Sequence, residues 1–192
     1  MKKNRIGYWM TIICLLLTTV ACEETETAAD ALADWATKNE TFLTTIAQEA
    51  KAKPGEWKII KSWTLVPDAT EGVYGDLQDY VYVKVLKEGT GTELALYSDS
   101  VNINYKGKLY NDVVFDSSYS IDEPDRDLVQ PVGMQIASTI NGFATALQHM
   151  KEGDRWLIYI PWSLGYGSSA ESTIPGYSNL IFDIDLVKII HK

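Results

Sequence analysis

A chain of 192 residues with 46% hydrophobic, 22% charged and 11% aromatic side chains has ordinary globular proportions and the length for one domain plus a small extension. Those proportions exclude a disordered acidic chain, a collagen-like repeat and a polytopic membrane protein. Seventeen basic against 26 acidic residues give a net charge of −9, the wrong sign for displacing counterions from phosphates, so no nucleic-acid partner is expected.

The N-terminus reads as an export signal. Lys2, Lys3 and Arg5 precede an uncharged, mostly apolar run from Ile6 to Ala21, which is shorter than the roughly 20 residues of a membrane span. Thr19-Val20-Ala21-Cys22 resembles the lipobox of bacterial lipoproteins, with Thr19 where Leu is usual. The expectation is a lipoprotein signal over residues 1–21 and a lipidated Cys22; ordinary signal cleavage near Ala21 is the alternative. The other cysteine, Cys14, would be removed, so the exported chain would hold no disulfide and depend on its packed core. Cleavage removes three positive charges and no negative ones, taking the net charge to −12. Glu23-Glu24-Thr25-Glu26 then resembles a surface-export tag, or serves as a solvated tether. The expected location is the cell envelope, as an outer-membrane lipoprotein facing periplasm or cell surface.

Residues 22–77 are expected to form the tether and a helix/strand extension, and residues 78–192 the main domain. Ala28 to Ala52 carries a helical stripe of Leu32, Trp35, Phe42, Leu43, Ile46 and Ala50, interrupted by Asn39 and stopped by Pro54-Gly55. Trp57 to Leu65 is rich in aromatic and branched residues and is predicted as a strand, before a loop marked by Pro67-Asp68 and Gly72 to Gly75.

Strands and turns follow. Tyr80 to Leu86 is a predicted strand ended at Glu88 to Gly91. In Ser100 to Tyr110, Val101, Ile103 and Tyr105 share one face and Asn102, Asn104 and Lys106 the other. Val113 to Asp116 is a short strand, residues 117–131 a polar loop, and Val132, Met134 and Ile136 alternate again. A short helix is predicted over Phe143 to Met150 with Gly153 as its C-cap, then a strand to Ile160, a Gly/Ser loop, and a last strand from Leu180 to Ile190. That strand directs Phe182, Ile184 and Leu186 inward and Asp183 and Asp185 outward. Leu157 and Tyr159 make the Asp154–Ile160 strand apolar on both faces. Its outer face should be covered by the helix of Trp35 and Phe42 or by the strand of Trp57 and Trp63, unless the helix instead forms a dimer arm; monomer and dimer both stay open. Many antiparallel strands around one short helix give an α+β fold.

Several chemistries lack their residues. Two histidines, His149 and His191, give no nucleophile relay, and there is neither a Walker-type phosphate loop nor a Cys/His cluster for a metal. Aromatic residues, an embedded carboxylate and glycine turns point instead to a pocket for an apolar group, with no cofactor.

Five ordered segments carry a family resemblance: Val101 to Ser118, Ile140 to Arg155, Ile160 to Gly167, Ile174 to Gly176, and Leu180 to Leu186. Together they resemble the FK506-binding (FKBP-type) peptidyl-prolyl cis-trans isomerases over residues 78–192. The resemblance implies a bent antiparallel β half-barrel wrapped on a short helix, here with an N-terminal helical extension. It implies isomerisation of X–Pro bonds in exported polypeptides, and binding of FK506/rapamycin-type macrolides. It places Phe143 as the pocket floor, Tyr105, Phe115 and Phe182 as walls, and Val132, Thr139 and Ile174 in the lining. The Ile140 N–H and the Tyr166 hydroxyl would bind substrate carbonyls, and Asp116 would be the polar group nearest the twisting amide. Phe143 stands where the family usually has Trp, Val132 where it has Phe and Thr139 where it has Val; the loop between Tyr166 and Ile174 has no histidine. The loop before Pro131 is several residues longer, and its Arg126 is a candidate partner of Asp116. These departures keep a second reading open: a catalytically weak FKBP-like chaperone or binding module. A structural envelope scaffold is a third.

Overall fold

The computed structural model describes residues 27–65, 76–119 and 128–192. The signal, Cys22 and the acidic run lie outside the described residues, as do the Pro67–Gly75 loop and Arg126. Among the described residues no helix is long and apolar enough to cross a membrane.

Helix α1 spans Ala28–Ala52. Thr27 opens it with a capping box: its side chain accepts from the Asp30 N–H, and the Asp30 carboxylate accepts from the Thr27 N–H. Its buried residues are Asn39, Leu43, Ile46, Ala47 and Ala50, a run at helical spacing. The stripe differs from expectation at two places. Residues 27–34 are exposed throughout, Leu32 with them, whereas Asn39 is fully buried.

Seven antiparallel strands form one sheet: β1 (Trp57–Lys61), β2 (Tyr80–Lys87), β3 (Ser100–Leu109), β4 (Val114–Ser117), β5 (Val132–Gln135), β6 (Arg155–Ile160) and β7 (Leu180–Ile190). Their spatial order is β1-β2-β6-β7-β3, after which β5 pairs with the first half of β3 and β4 with its second half. The short helix α2 (Asn141–Leu147) crosses one face. The main core lies between α2 and the sheet, and includes Val81, Val83, Ile103, Phe143, Leu147, Trp156, Ile158, Phe182 and Ile184. Gly142 makes that contact close, because a Cβ there would run into the Ile160 side chain.

The alternate residues Tyr82 and Tyr159 face the other way, into a second core with Leu43, Ile46, Ala47 and Ala50 of α1. Trp57 stacks on Tyr159 at 5.5 Å between ring centroids, and Phe42 packs on it at 6.0 Å. The apolar outer face of β6 is therefore covered by α1 and β1 together. The fold is α+β, an open antiparallel sheet carrying a short helix on one face and the N-terminal helix on the other.

Several local expectations need correction. β1 ends at Lys61: the Ser62 N–H still bonds to Asp79 O, one step on in the β1–β2 register, and the Leu65 N–H then bonds back to Ser62 O, turning the chain. Trp63 is thereby carried away from β6 and packs on Tyr97, with ring centroids 4.3 Å apart. Asn104, on the face of β3 shared with Asn102 and Lys106, is buried, next to a register shift at Asn102/Ile103. α2 stops at Leu147 with Gln148 as its right-handed cap. Gly153, at φ +87°, belongs instead to the following turn, where its N–H bonds to Leu186 O at 2.8 Å.

Candidate functional site

Between α2 and the sheet a cavity of about 250 Å³ is lined by Tyr105, Asp116, Met134, Ser138, Thr139, Ile140, Phe143, Tyr166 and Phe182. β3 supplies Tyr105, β4 Asp116, β7 Phe182 and α2 Phe143. The short 3₁₀ turn Ile136–Ser138 leads through Thr139 to Ile140, the N-cap of α2. Tyr166 stands on the loop between β6 and β7.

Three of the four phenylalanines of the chain meet here. Phe143 and Phe182 pack edge to face at 4.9 Å, and Phe115 and Phe182 likewise at 5.5 Å. Tyr105 lies 6.2 Å from Phe143 and 6.3 Å from Phe182. Gly107 of β3 permits this, since a Cβ there would lie 2.8 Å from both Phe115 and Phe182. The edge-on rings leave an apolar hollow rather than an interlocked interior.

The polar groups are few and fixed. The Tyr105 hydroxyl donates to Asp116 Oδ2 at 2.7 Å, and the Ser117 N–H donates to Oδ1 at 2.8 Å. Burial, reinforced by the Asp116 carboxylate, pushes the Tyr105 phenol far above its usual range. Burial also raises the Tyr166 phenol, with Asp116 and Glu171 adding to it. Both hydroxyls are thus held neutral as donors. Thr139 Oγ1 donates to Ile136 O at 2.8 Å, which fixes the turn into α2. Among the described residues no group of acids, histidines or cysteines could hold a metal ion.

Of the ten site residues named from sequence, the cavity brings together Tyr105, Asp116, Thr139, Ile140, Phe143, Tyr166 and Phe182. Phe115 stands behind it, backing Phe182. Val132 packs on the main core from β5 and Ile174 is buried within that core, neither lining the hollow. Met134 and Ser138 line it unforeseen. Met134 could have been found, because strand alternation puts it on the same face as Val132 one pleat closer to the 3₁₀ turn.

Residues 91–187 match the family described as FKBP-type peptidyl-prolyl cis-trans isomerase. The chain is 36% identical over 105 residues to the macrophage infectivity potentiator of Trypanosoma cruzi, covering 54% of this chain and 50% of that one. It is 38% identical over 110 residues to the peptidyl-prolyl cis-trans isomerase Mip of Coxiella burnetii, covering 57% and 44%. Among solved structures, FkpA from Escherichia coli is similar with a TM-score of 0.61 at 26% identity, over 84% of this chain and 64% of that one. The chain belongs to the FKBP-type peptidyl-prolyl cis-trans isomerase family. It spans about half the length of these curated relatives, or less.

Proposed function

We propose that the protein is a peptidyl-prolyl cis-trans isomerase acting on X–Pro bonds of exported polypeptides. The observation that carries this reading is the aromatic hollow with a fixed carboxylate at its mouth. An amide resists rotation because resonance moves charge from nitrogen to oxygen, with a barrier of about 18–20 kcal/mol. Water stabilises that separated charge and the edges of Phe143, Phe182 and Tyr105 do not, so a bound prolyl amide loses ground-state stabilisation relative to its twisted form. Phe143 and Phe182 hold the ring while the preceding carbonyl turns. The Ile140 N–H and the Tyr166 hydroxyl take substrate carbonyls. Asp116 stands nearest the twisting bond, where the carbonyl carbon gains positive character once resonance is broken. No covalent step and no cofactor enter.

Macrolides of the FK506/rapamycin type would occupy the same hollow. The Cys22 lipobox supports a lipid-anchored place in the envelope, on either the periplasmic or the surface side, with residues 22–77 as the tether and the helix/strand extension of the domain at 78–192.

Cis/trans exchange of a short X–Pro peptide tests the reading. The wild type should accelerate it, with Asp116→Ala and Phe182→Ala each slower by about tenfold or more. Identical rates for all three remove the proposal. Suppression of aggregation without acceleration would instead select the chaperone reading, which the substitution of Phe143 for the family's usual Trp favours.

A further inference from the structure

Helix α1 lies outside the matched family residues, yet it reaches the loop that carries Tyr166 through hydrogen bonds. Asn39, the polar break in its stripe, is fully buried. Its Oδ1 accepts from the Asn179 N–H at 2.8 Å, its backbone carbonyl accepts from Asn179 Nδ2 at 2.6 Å, and its own Nδ2 donates to Trp35 O at 3.0 Å. One turn earlier, Trp35 Nε1 donates to Ser178 Oγ at 3.0 Å, and that hydroxyl donates on to Pro175 O.

The loop needs such anchorage. It runs over residues 161–179 and is rich in glycine and serine. It also holds Ser172 and Tyr177 at positive φ, of 52° and 62°, a conformation that non-glycine residues adopt at a cost. Ser178 and Asn179, the two residues gripped by α1, follow directly on Tyr177. Asn179 closes the neck of the loop, because its Oδ1 accepts from the Trp162 N–H at 3.0 Å. The Trp162 carbonyl in turn accepts from Gly165 N–H and from Gly167 N–H, the two residues flanking Tyr166. A hydrogen-bonded path thus runs from Asn39 through Asn179 and Trp162 to the backbone on either side of Tyr166. An apolar residue at position 39 could fill the same volume but would leave the Asn179 N–H buried and unpaired.

We propose that Asn39 and Trp35 are positioning residues: α1 braces the 161–179 loop and thereby holds Tyr166 at the mouth of the cavity. The catalytic part of this inference rests on the isomerase reading; the structural part does not.

The test compares Asn39→Ala with Ile46→Ala in the full chain. Ile46 packs in the outer core of the same helix and makes no bond to the loop. Amide hydrogen exchange, melting temperature and peptide kinetics are measured on both. At equal loss of melting temperature, Asn39→Ala should speed exchange of the 162–179 amides about tenfold more than Ile46→Ala does. It should also raise KM severalfold with a smaller change in kcat, while Ile46→Ala leaves both near wild type. Asn179→Ala added to Asn39→Ala should speed loop exchange further, because it removes separate bonds, from Asn179 Nδ2 to Asn39 O and from the Trp162 N–H to Asn179 Oδ1. Equal loop exchange in the two single variants overturns the brace. A wild type that does not accelerate the peptide removes the isomerase reading alone, because loop exchange still decides the brace. Should Asn39→Ala fail to fold, Trp35→Phe, which deletes the bond to Ser178 while keeping an aromatic ring against Tyr110, replaces it with the same expected direction.

Discussion

The Tyr105 hydroxyl and the Asp116 carboxylate are joined across adjacent strands by a 2.7 Å hydrogen bond at the mouth of the aromatic cavity. The phenol occupies one carboxylate oxygen and the Ser117 amide the other, so the charge is held in place before any substrate arrives. Tyr105→Phe should therefore lower kcat/KM by about three- to tenfold through a mobile carboxylate, a smaller loss than Asp116→Ala. Ultraviolet titration gives a second readout. Tyr105 should be among the last phenols to ionise, and Asp116→Asn should bring its transition down, because the carboxylate supports the shift that burial begins.

Gly107→Ala should damage the site from behind. Its new methyl would meet Phe115 and Phe182 at 2.8 Å on rings already packed edge to face. We expect a loss of about 1–3 kcal/mol in stability from overpacking, measured by denaturant melts. Peptide turnover should fall more than in a surface variant of equal stability, since Phe182 must move into the hollow.

Leu43→Ala should cost about 2–5 kcal/mol, as for a fully buried leucine. Because α1 covers Tyr82 and Tyr159, the loss should appear as one lowered transition in calorimetry rather than as separate melting of a helical arm. With this face of α1 spent on its own sheet, light scattering of the unlipidated protein should give the mass of a monomer.

The C-terminal end predicts a pH dependence. His191 Nδ1 lies 2.7 Å from Asp99 Oδ2 and Nε2 lies 3.2 Å from Glu93. The hydrogen bonds to Asp99 and then Glu93 raise the imidazole above 6.5. Its contribution to stability is full below pH 6.5 and is lost as pH rises through the higher folded value. Asp99 is lowered, chiefly by the Leu96 N–H, so its contribution is present above pH 3.8 and is lost as pH falls through the depressed value. His191→Gln should thus lower the melting temperature most near about pH 5.5, and the difference from wild type should close in mildly alkaline buffer.

Much of this architecture is legible in the chain. The alternation of Phe182, Ile184 and Leu186 marks β7, and the run to Pro54-Gly55 bounds α1. The motif order brings Tyr105, Asp116, Phe143 and Phe182 to one cavity. What escapes is long-range. No local pattern tells that Asn39 meets a partner 140 residues away, so it reads as a fault in a stripe. Trp63 continues an aromatic strand by composition, yet the turn closed by the Leu65 N–H on Ser62 O carries it out of the sheet. Ile174 and Val132 are apolar and near the site in sequence order, but lining a cavity differs from filling a core only by which neighbours arrive.

Strand β1 has one more consequence. By pairing along β2 it makes a short ribbon bearing Lys58 and Lys61 the outermost member of the sheet. Without it, the alternate amides of Val81, Val83 and Val85 on that edge would be left open as a template on which a second copy could pair. Two lysines on a short terminal strand discourage such stacking. The N-terminal segment thus closes the edge of the sheet as well as covering its outer face.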